Sequence, residues 1–466
     1  MSMHSHFAEP AAVPQPDGLT PLAIVPTRCG SGRTFSDSRL ITATVACATL
    51  VLLYAAASYW PIQPLIDILR AQRWAQLIAH PSVWWAAMFL TLFGFRAVLW
   101  LRYRPFASAD VATAPRLTVV IPAYNQGRMV RETIDSVARA PYPRGRIEII
   151  VVDDGSSDDT WHHIECSAEQ YPGLVVPLRL HRNRGKRAAL AAGFARARGE
   201  IVVAIDSDSV IVPEALLAIA GPFRDARVGA VAGKIEVLNR REGLIPRMLQ
   251  VRYLLAFDAL PAAQSTYGTV ACCPGAFSAF RLSAIRRLLR PWLRQTFLGA
   301  RCTHGEDRAL TNLVLASGYD TVYQRGAIAF TTVPRGYAKL CRMYLRWCRT
   351  YLREQLRFYS HTLWRRPART RTIALVDGLI ACLRYPLAYL SLAPLVIFAL
   401  DHPLAILRLL ASIGVVSLLN SLYCLRSERS WSFLFGVAYA YFATFALFWI
   451  VPYAALTVRS RSWMTR

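Results

Sequence analysis

Val151-Val-Asp-Asp-Gly-Ser-Ser-Asp-Asp-Thr160 follows directly on Ile147-Glu-Ile-Ile150, and the join between them decides the fold. A run of β-forming apolar residues stops abruptly at paired carboxylates. Ionised carboxylates avoid apolar interiors unless they are paired or bound, so this strand must end at an edge where a ligand, a cation or water meets Asp153 and Asp154. Working outward, Leu117–Ile121, Glu200–Ile205 and Val228–Ala232 are similar short apolar runs, and Arg187–Arg198 is the clearest helical stretch between them. This alternation across Arg116–Pro334 predicts an α/β domain with parallel strand pairing and ligands at the carboxyl ends of the strands.

A second apolar strand also runs into carboxylates. Glu200–Ser209 reads EIVVAIDSDS, and alternation along an extended chain puts Asp206 and Asp208 on one side. Two hard oxygen ligands at that spacing suit Mg2+ or Mn2+, which can bridge the oxygens of a diphosphate; a solvated turn is the plainer reading of a lone D-x-D. Asn183-Arg-Gly-Lys186 opens the Arg187–Arg198 helix with turn residues, backbone N–H groups and a lysine where phosphate could rest, or as an ordinary helix cap. His304-Gly-Glu-Asp-Arg308 places Glu306 and Asp307 before another helical run, as capping acids or with Asp307 as a general base. In residues 339–359 Lys339, Arg342, Arg346, Arg349, Arg353 and Arg357 recur every three or four positions, a basic stripe expected mostly at anionic headgroups. Arg346-Trp347 within it is also suited to hold diphosphate beside a sugar face.

The 466 residues are 54% hydrophobic and 18% charged, with mean hydropathy +0.29, which predicts a membrane protein with one large aqueous domain. The net charge of +25 is nearly all arginine, since Lys186, Lys234 and Lys339 are the only lysines. Without any nucleic-acid motif, that charge points to membrane lipids and phosphate rather than nucleic acid. Ten cysteines without a C-x-x-C pair are read as reduced thiols, and Cys272-Cys273 as small buried groups outside the catalytic set. Residues 1–39 read as a disordered cytoplasmic tail, and Leu40–Trp60 and Val83–Leu101 as two membrane spans. Ile373–Leu400, Leu404–Leu425 and Trp431–Thr457 read as further membrane segments. Arginines on both flanks place the α/β domain and the C-terminus in the cytoplasm, so one of the last three runs is expected to be interfacial, re-entrant or split.

Taken in order, Val120-Ile-Pro-Ala-Tyr124, Val152-Asp-Asp-Gly155, Gly185-Lys-Arg187, Asp206-Ser-Asp208, Cys272-Cys-Pro-Gly275, Gly305-Glu-Asp-Arg308 and Arg346-Trp347 resemble the membrane-embedded processive family-two glycosyltransferases. The likeness covers about Arg116–Glu354 and is strongest toward hyaluronan synthases and the chitin and Nod-factor backbone synthases. Tyr253-Leu-Leu-Ala-Phe257, Asp307-Arg-Ala-Leu-Thr-Asn312 and Trp463-Met-Thr-Arg466, which is similar to a W-G-T-R gating loop, carry the hyaluronan-type wording. The resemblance implies a cytoplasmic GT-A (Rossmann-like) domain at 115–335, followed by amphipathic interfacial helices at 336–365, membrane segments at 372–457 and a cytoplasmic tail at 458–466. It implies Tyr124, Asp153, Asp154 and Lys186 at the uridine diphosphate, Asp206 and Asp208 at the metal, and Glu306 and Arg308 at the substrate. Asp307 would be the base, Arg346 would meet the leaving diphosphate, and Trp347 would stack on the acceptor sugar. The implied activity is inverting polymerisation of UDP-sugars, UDP-GlcNAc alone or with UDP-GlcA, onto a growing polysaccharide carried across the membrane. A non-processive transferase to a lipid acceptor and a silent nucleotide-sugar sensor are the alternatives. The family's Q-x-x-R-W switch departs here, because Met343 stands at the glutamine and a thioether cannot replace an amide's hydrogen bonds.

Overall fold

The computed structural model describes residues 81–379, 405–428 and 431–460, with isolated positions 382, 389 and 400. The expected tail at 1–39, the first span Leu40–Trp60, most of Ile373–Leu400 and the Trp463–Arg466 motif lie outside the described residues.

Ten strands occur among the described residues: β1 (Leu117–Ala123), β2 (Ile147–Asp153), β3 (Val175–Arg179), β4 (Ile201–Ile205), β5 (Ser209–Ile211), β6 (Val228–Val237), β7 (Phe277–Arg281), β8 (Thr296–Phe297), β9 (Ala300–Arg301) and β10 (Asp320–Thr331). Eight form one sheet in the order β3-β2-β1-β4-β7-β6-β10-β5, and β8 and β9 pair separately. The inner strands are apolar on both faces because both faces are covered. Val119, Ile121, Ile149, Val151 and Val203 pack into one core, while Val120, Ile150, Val152, Val202 and Ala204 pack into the other.

Parallel pairing, expected throughout, holds from β3 to β4 and between β6 and β10. β7 instead runs antiparallel to both β4 and β6, and β5 antiparallel to β10. This mixed topology matters for the site. Ile205 pairs with Phe277, so the chain entering β7 at Cys272–Ala276 lies beside the chain leaving β4 at Asp206–Asp208. The expected Arg187–Arg198 helix is Lys186–Arg196, starting one residue earlier and ending two earlier.

The basic segment is a 21-residue helix, Tyr337–Arg357. Its arginines do not form one outward stripe: Arg349 and Arg353 are each only 2% exposed. Arg349 donates to Thr457 Oγ1 at 2.9 Å through a terminal nitrogen, and Arg353 is paired with Glu354. Val83–Leu101 lies in a single helix, Pro81–Arg102. Among the described residues no single helix is long and apolar enough to cross a membrane. The Trp431–Thr457 run is broken: Trp431–Ala446 and Ile450–Leu456 pass that test only together, bent by 50°. The bend returns the chain along the Tyr337–Arg357 helix, where Tyr337 Oη donates to the Ala446 carbonyl at 2.6 Å and Tyr344 and Tyr439 hydroxyls meet at 2.8 Å.

Candidate active site

The loops after β1 and β2 are laced together before any ligand is considered. Asn125 N–H donates to Ser156 Oγ at 3.0 Å, and the Gln126 and Gly127 N–H groups share Thr160 Oγ1 at 2.8 Å each. Tyr124 therefore stands at the end of β1 on a fixed loop. Asp153 pairs in register with Ala123 and with Arg179, is fully buried, and accepts from Ser156 N–H at 3.0 Å through Oδ1. Among the described residues its Oδ2 has no hydrogen-bond partner and faces the charge of Arg179 Nε at 3.4 Å.

Asp154 has a different position from its neighbour. Oδ1 accepts from Arg184 N–H at 2.9 Å and Oδ2 from Gly185 N–H at 2.8 Å. Burial pushes its carboxyl above the usual range despite those two donors. Asp154 thus clamps the Asn183–Lys186 turn and sets where Lys186 begins its helix.

Lys186 is the hub of the site. Its ammonium contacts Asp206 Oδ1 and lies 3.2 Å from Glu306 Oε1. Burial alone would weaken the ammonium, but Asp206 and Glu306 hold it well above the ordinary lysine range. Burial would likewise raise Glu306, yet Lys186 holds it well below the ordinary carboxylate range. A Cβ added at Gly275 would sit 2.7 Å from Lys186 Nζ, so the Cys272–Gly275 turn covers the ion pair and leaves no room for a side chain there. Antiparallel β7 delivers that turn.

Asp208 lies beyond Asp206, and burial and the charge of Asp206 push its carboxyl up to about 6. Among the described residues no group of three or more His, Cys, Asp or Glu could hold a metal ion. Two crowded carboxylates nevertheless form a donor set that fits one hard divalent cation, whose charge would relieve the repulsion that Asp208 shows and whose remaining positions would fall to substrate oxygens and water.

Asp307 is the second residue of the Glu306–Ala316 helix. Burial and the neighbouring Glu306 raise its carboxyl above the usual range. Oδ1 accepts from Arg308 N–H at 2.7 Å, and the Cys272 thiol lies 3.6 Å from Oδ2. Burial pushes the Cys272 thiol far up, so it is a thiol and not a thiolate. Arg308 is carried elsewhere: its guanidinium lies 4.7 Å over the Tyr351 ring and donates to Gln355 Oε1 at 3.1 Å, joining two helices.

Arg346 lies near enough to Glu306, His304 and Tyr253 for its charge to act on all three. Trp347 is held by aromatic rings, with centroids 5.6 Å to Tyr344, 6.1 Å to Tyr253 and 6.3 Å to Phe257. Tyr253 also lies within reach of the Asp208 charge, so the tryptophan nest borders the carboxylate pair. Met343 is 6% exposed in the main core, where its thioether has apolar neighbours.

Three residues at the site carry no role in the sequence reading. Cys272 is set there outside the catalytic groups, although it opens the Cys272-Cys-Pro-Gly275 motif. His304 is 1% exposed, and burial followed by Arg353 and Arg346 lowers its imidazole to about 4. Glu354, fully buried, takes Gln295 Nε2 at 2.7 Å, Asn312 Nδ2 at 3.2 Å and Arg353 Nε at 3.0 Å, and so ties the Arg346 helix to the Asp307 helix. Its one available signal is that it is the sole acid in Tyr337–Arg357.

Residues 118–289 match the model of glycosyl transferase family 2. Within that span the chain is similar to family 2 glycosyltransferases. An N-acetylglucosaminyltransferase of Azorhizobium caulinodans is 38% identical over 229 residues, 49% of this chain and 57% of that protein. A hyaluronan synthase of Streptococcus pyogenes is 37% identical over 224 residues, 47% of this chain and 53% of that protein. The chain thus spans about half the length of these relatives. A solved mannosyltransferase from Pyrobaculum calidifontis, in complex with GDP-Man and Mn2+, superposes with a TM-score of 0.54 at 22% identity, covering 78% of this chain and 97% of that one. The domain therefore has a mixed α/β GT-A-like fold, and the span matched by the family model holds Tyr124, Asp153, Asp154, Lys186, Asp206, Asp208 and Cys272, whereas His304, Asp307 and Arg346 lie beyond it.

Proposed function

We propose that this protein is a UDP-sugar-dependent inverting glycosyltransferase that polymerises N-acetylglucosamine, alone or with glucuronate, into a β-linked polysaccharide at a membrane. The observation that carries this reading is Lys186 lying between Asp206 and Glu306, with Asp307 next in the chain, at the edge where β1, β2 and β4 end. Tyr124 and Asp153 would receive the uridine end of the donor, and Lys186 with Arg346 would face its diphosphate.

Asp206 and Asp208 would hold Mg2+ or Mn2+, which when bound neutralises charge on the diphosphate. Asp307 takes the proton of the acceptor hydroxyl, as a base whose raised carboxyl suits the task. The acceptor oxygen forms a bond to the anomeric carbon as the bond to the diphosphate oxygen breaks, so configuration inverts and an α-linked donor gives a β-linked product. Arg346 meets the charge that develops on the leaving oxygen. Trp347, held edge-on by its aromatic neighbours, offers a ring to the acceptor sugar, and Met343 bears on how long that sugar is kept.

The test is product size from the purified full chain with Mn2+ and UDP-GlcNAc, with and without UDP-GlcA. High-mass polymer supports the reading, and the donors it needs identify it as hyaluronan-type or chitin-type. Only short or lipid-bound product would put a non-processive transferase in its place.

A further inference from the structure

His304 has a side chain that the proposed chemistry does not yet use. The ring is 1% exposed, and among the described residues its Nε2 has no hydrogen-bond partner. Nδ1 lies 3.4 Å from Thr303 Oγ1, and the His304 carbonyl accepts from Arg353 at 2.6 Å. Buried polar atoms are rarely left without partners unless a ligand or water completes them.

The surroundings define what that ligand is. Gly305 has a φ of 75° and is pressed onto the Tyr337–Arg357 helix, where an added Cβ would meet Thr350 Cγ2 at 2.2 Å. Thr350 lies one turn beyond Arg346 and just before Arg353, so the His304 backbone is locked against the face carrying both arginines. The charges acting on the ring are Arg353, Arg346, Glu306 and Arg349, three cations and one acid. Glu306 is already engaged by Lys186. An imidazole among arginines is kept neutral, and a neutral ring with a proton on Nε2 can donate to an anion without adding a further charge that would retain it.

We propose that His304 is a diphosphate-binding residue, its Nε2–H donating to a phosphate oxygen of the nucleoside diphosphate that Arg346 also faces. This rests on reading the site as one for a UDP-sugar. Because the bond is made by a neutral donor, it supports the departing diphosphate without locking the product in place.

The experiment compares His304→Gln, which keeps a neutral N–H donor, with His304→Leu, which keeps only bulk. Binding of UDP and of uridine to the full chain is titrated in Mn2+, with thermal unfolding as a control for folding. A lost hydrogen bond to a charged group corresponds to roughly a tenfold or greater weakening of UDP by His304→Leu, with uridine unchanged and His304→Gln close to wild type. Equal weakening of UDP and uridine, or no change in UDP affinity, overturns the assignment while leaving the donor class intact. Wild-type protein that binds no UDP overturns the proposed donor class and the His304 assignment with it.

Discussion

Asp307 and Glu306 are neighbours in the chain and opposite in character. Lys186 holds Glu306 ionised, whereas burial and Glu306 itself raise Asp307. A raised base moves the acid limb of the rate upward, so turnover is expected to fall, as pH is lowered, at a pH above the ordinary carboxylate value; initial rates across pH 4–8 would show it. Asp307→Asn is expected to lower turnover by roughly a hundred- to ten-thousand-fold while UDP affinity holds, because it removes a proton acceptor and leaves the donor site in place. Gly275→Ala makes a sharper distinction. Its new Cβ pushes the Lys186 ammonium away from Asp206 and Glu306, so the thermal midpoint should fall and the donor KM should rise in the protein that remains folded, and an unchanged KM would show that Lys186 does not meet the donor. His304 gives a stability expectation with a definite sign. Its folded value near 4 lies below the ordinary 6.5, so its contribution is complete above about 6.5 and is lost as pH falls through 4, where the unfolded chain takes up the proton first. Thermal midpoints at pH 7 and 5 should separate more in wild type than in His304→Gln.

At the scale of elements, the strand ends were legible because an apolar run that meets Asp153 or Asp206 can stop only at a sheet edge. The order of motifs along the chain was equally readable. Register was not. Nothing in Phe277–Arg281 marks it as antiparallel, yet its pairing with β4 is what sets Cys272–Gly275 over Lys186. The basic helix shows the same limit: periodicity put Arg349 and Arg353 on one stripe, but burial of Arg353 depends on Glu354, Gln295 and His304, which come from three separate segments. Asp154 and Arg308 read as substrate ligands from their motifs, and the fold gives both bracing contacts that only tertiary placement reveals. Glu354→Leu tests the brace. It strands Arg353 as a buried unpaired cation and should cost about 3–5 kcal/mol, read as loss of thermal or denaturant stability. A loss below about 1 kcal/mol, the range of an exposed pair, would show that the helices are held by packing alone.

For the whole molecule, a basic, apolar chain surrounds one mixed sheet whose carboxyl edge gathers its chemistry beneath the Tyr337–Arg357 helix. The bent pair Trp431–Ala446 and Ile450–Leu456 packs back along that helix, with Thr457 at Arg349, so the apolar C-terminal segments and the site share an element. Membrane association is expected to survive an alkaline wash of isolated membranes, and recovery in the wash would contradict the proposed anchoring. The central claim is that Lys186, Asp206, Asp208, Asp307 and Arg346 form one metal-dependent transfer site, and its most direct measure is UDP released from UDP-GlcNAc by the purified full chain. The account predicts release that requires Mg2+ or Mn2+ and disappears in both Asp208→Asn and Asp307→Asn. Release that persists in chelator, or in either variant, would contradict it.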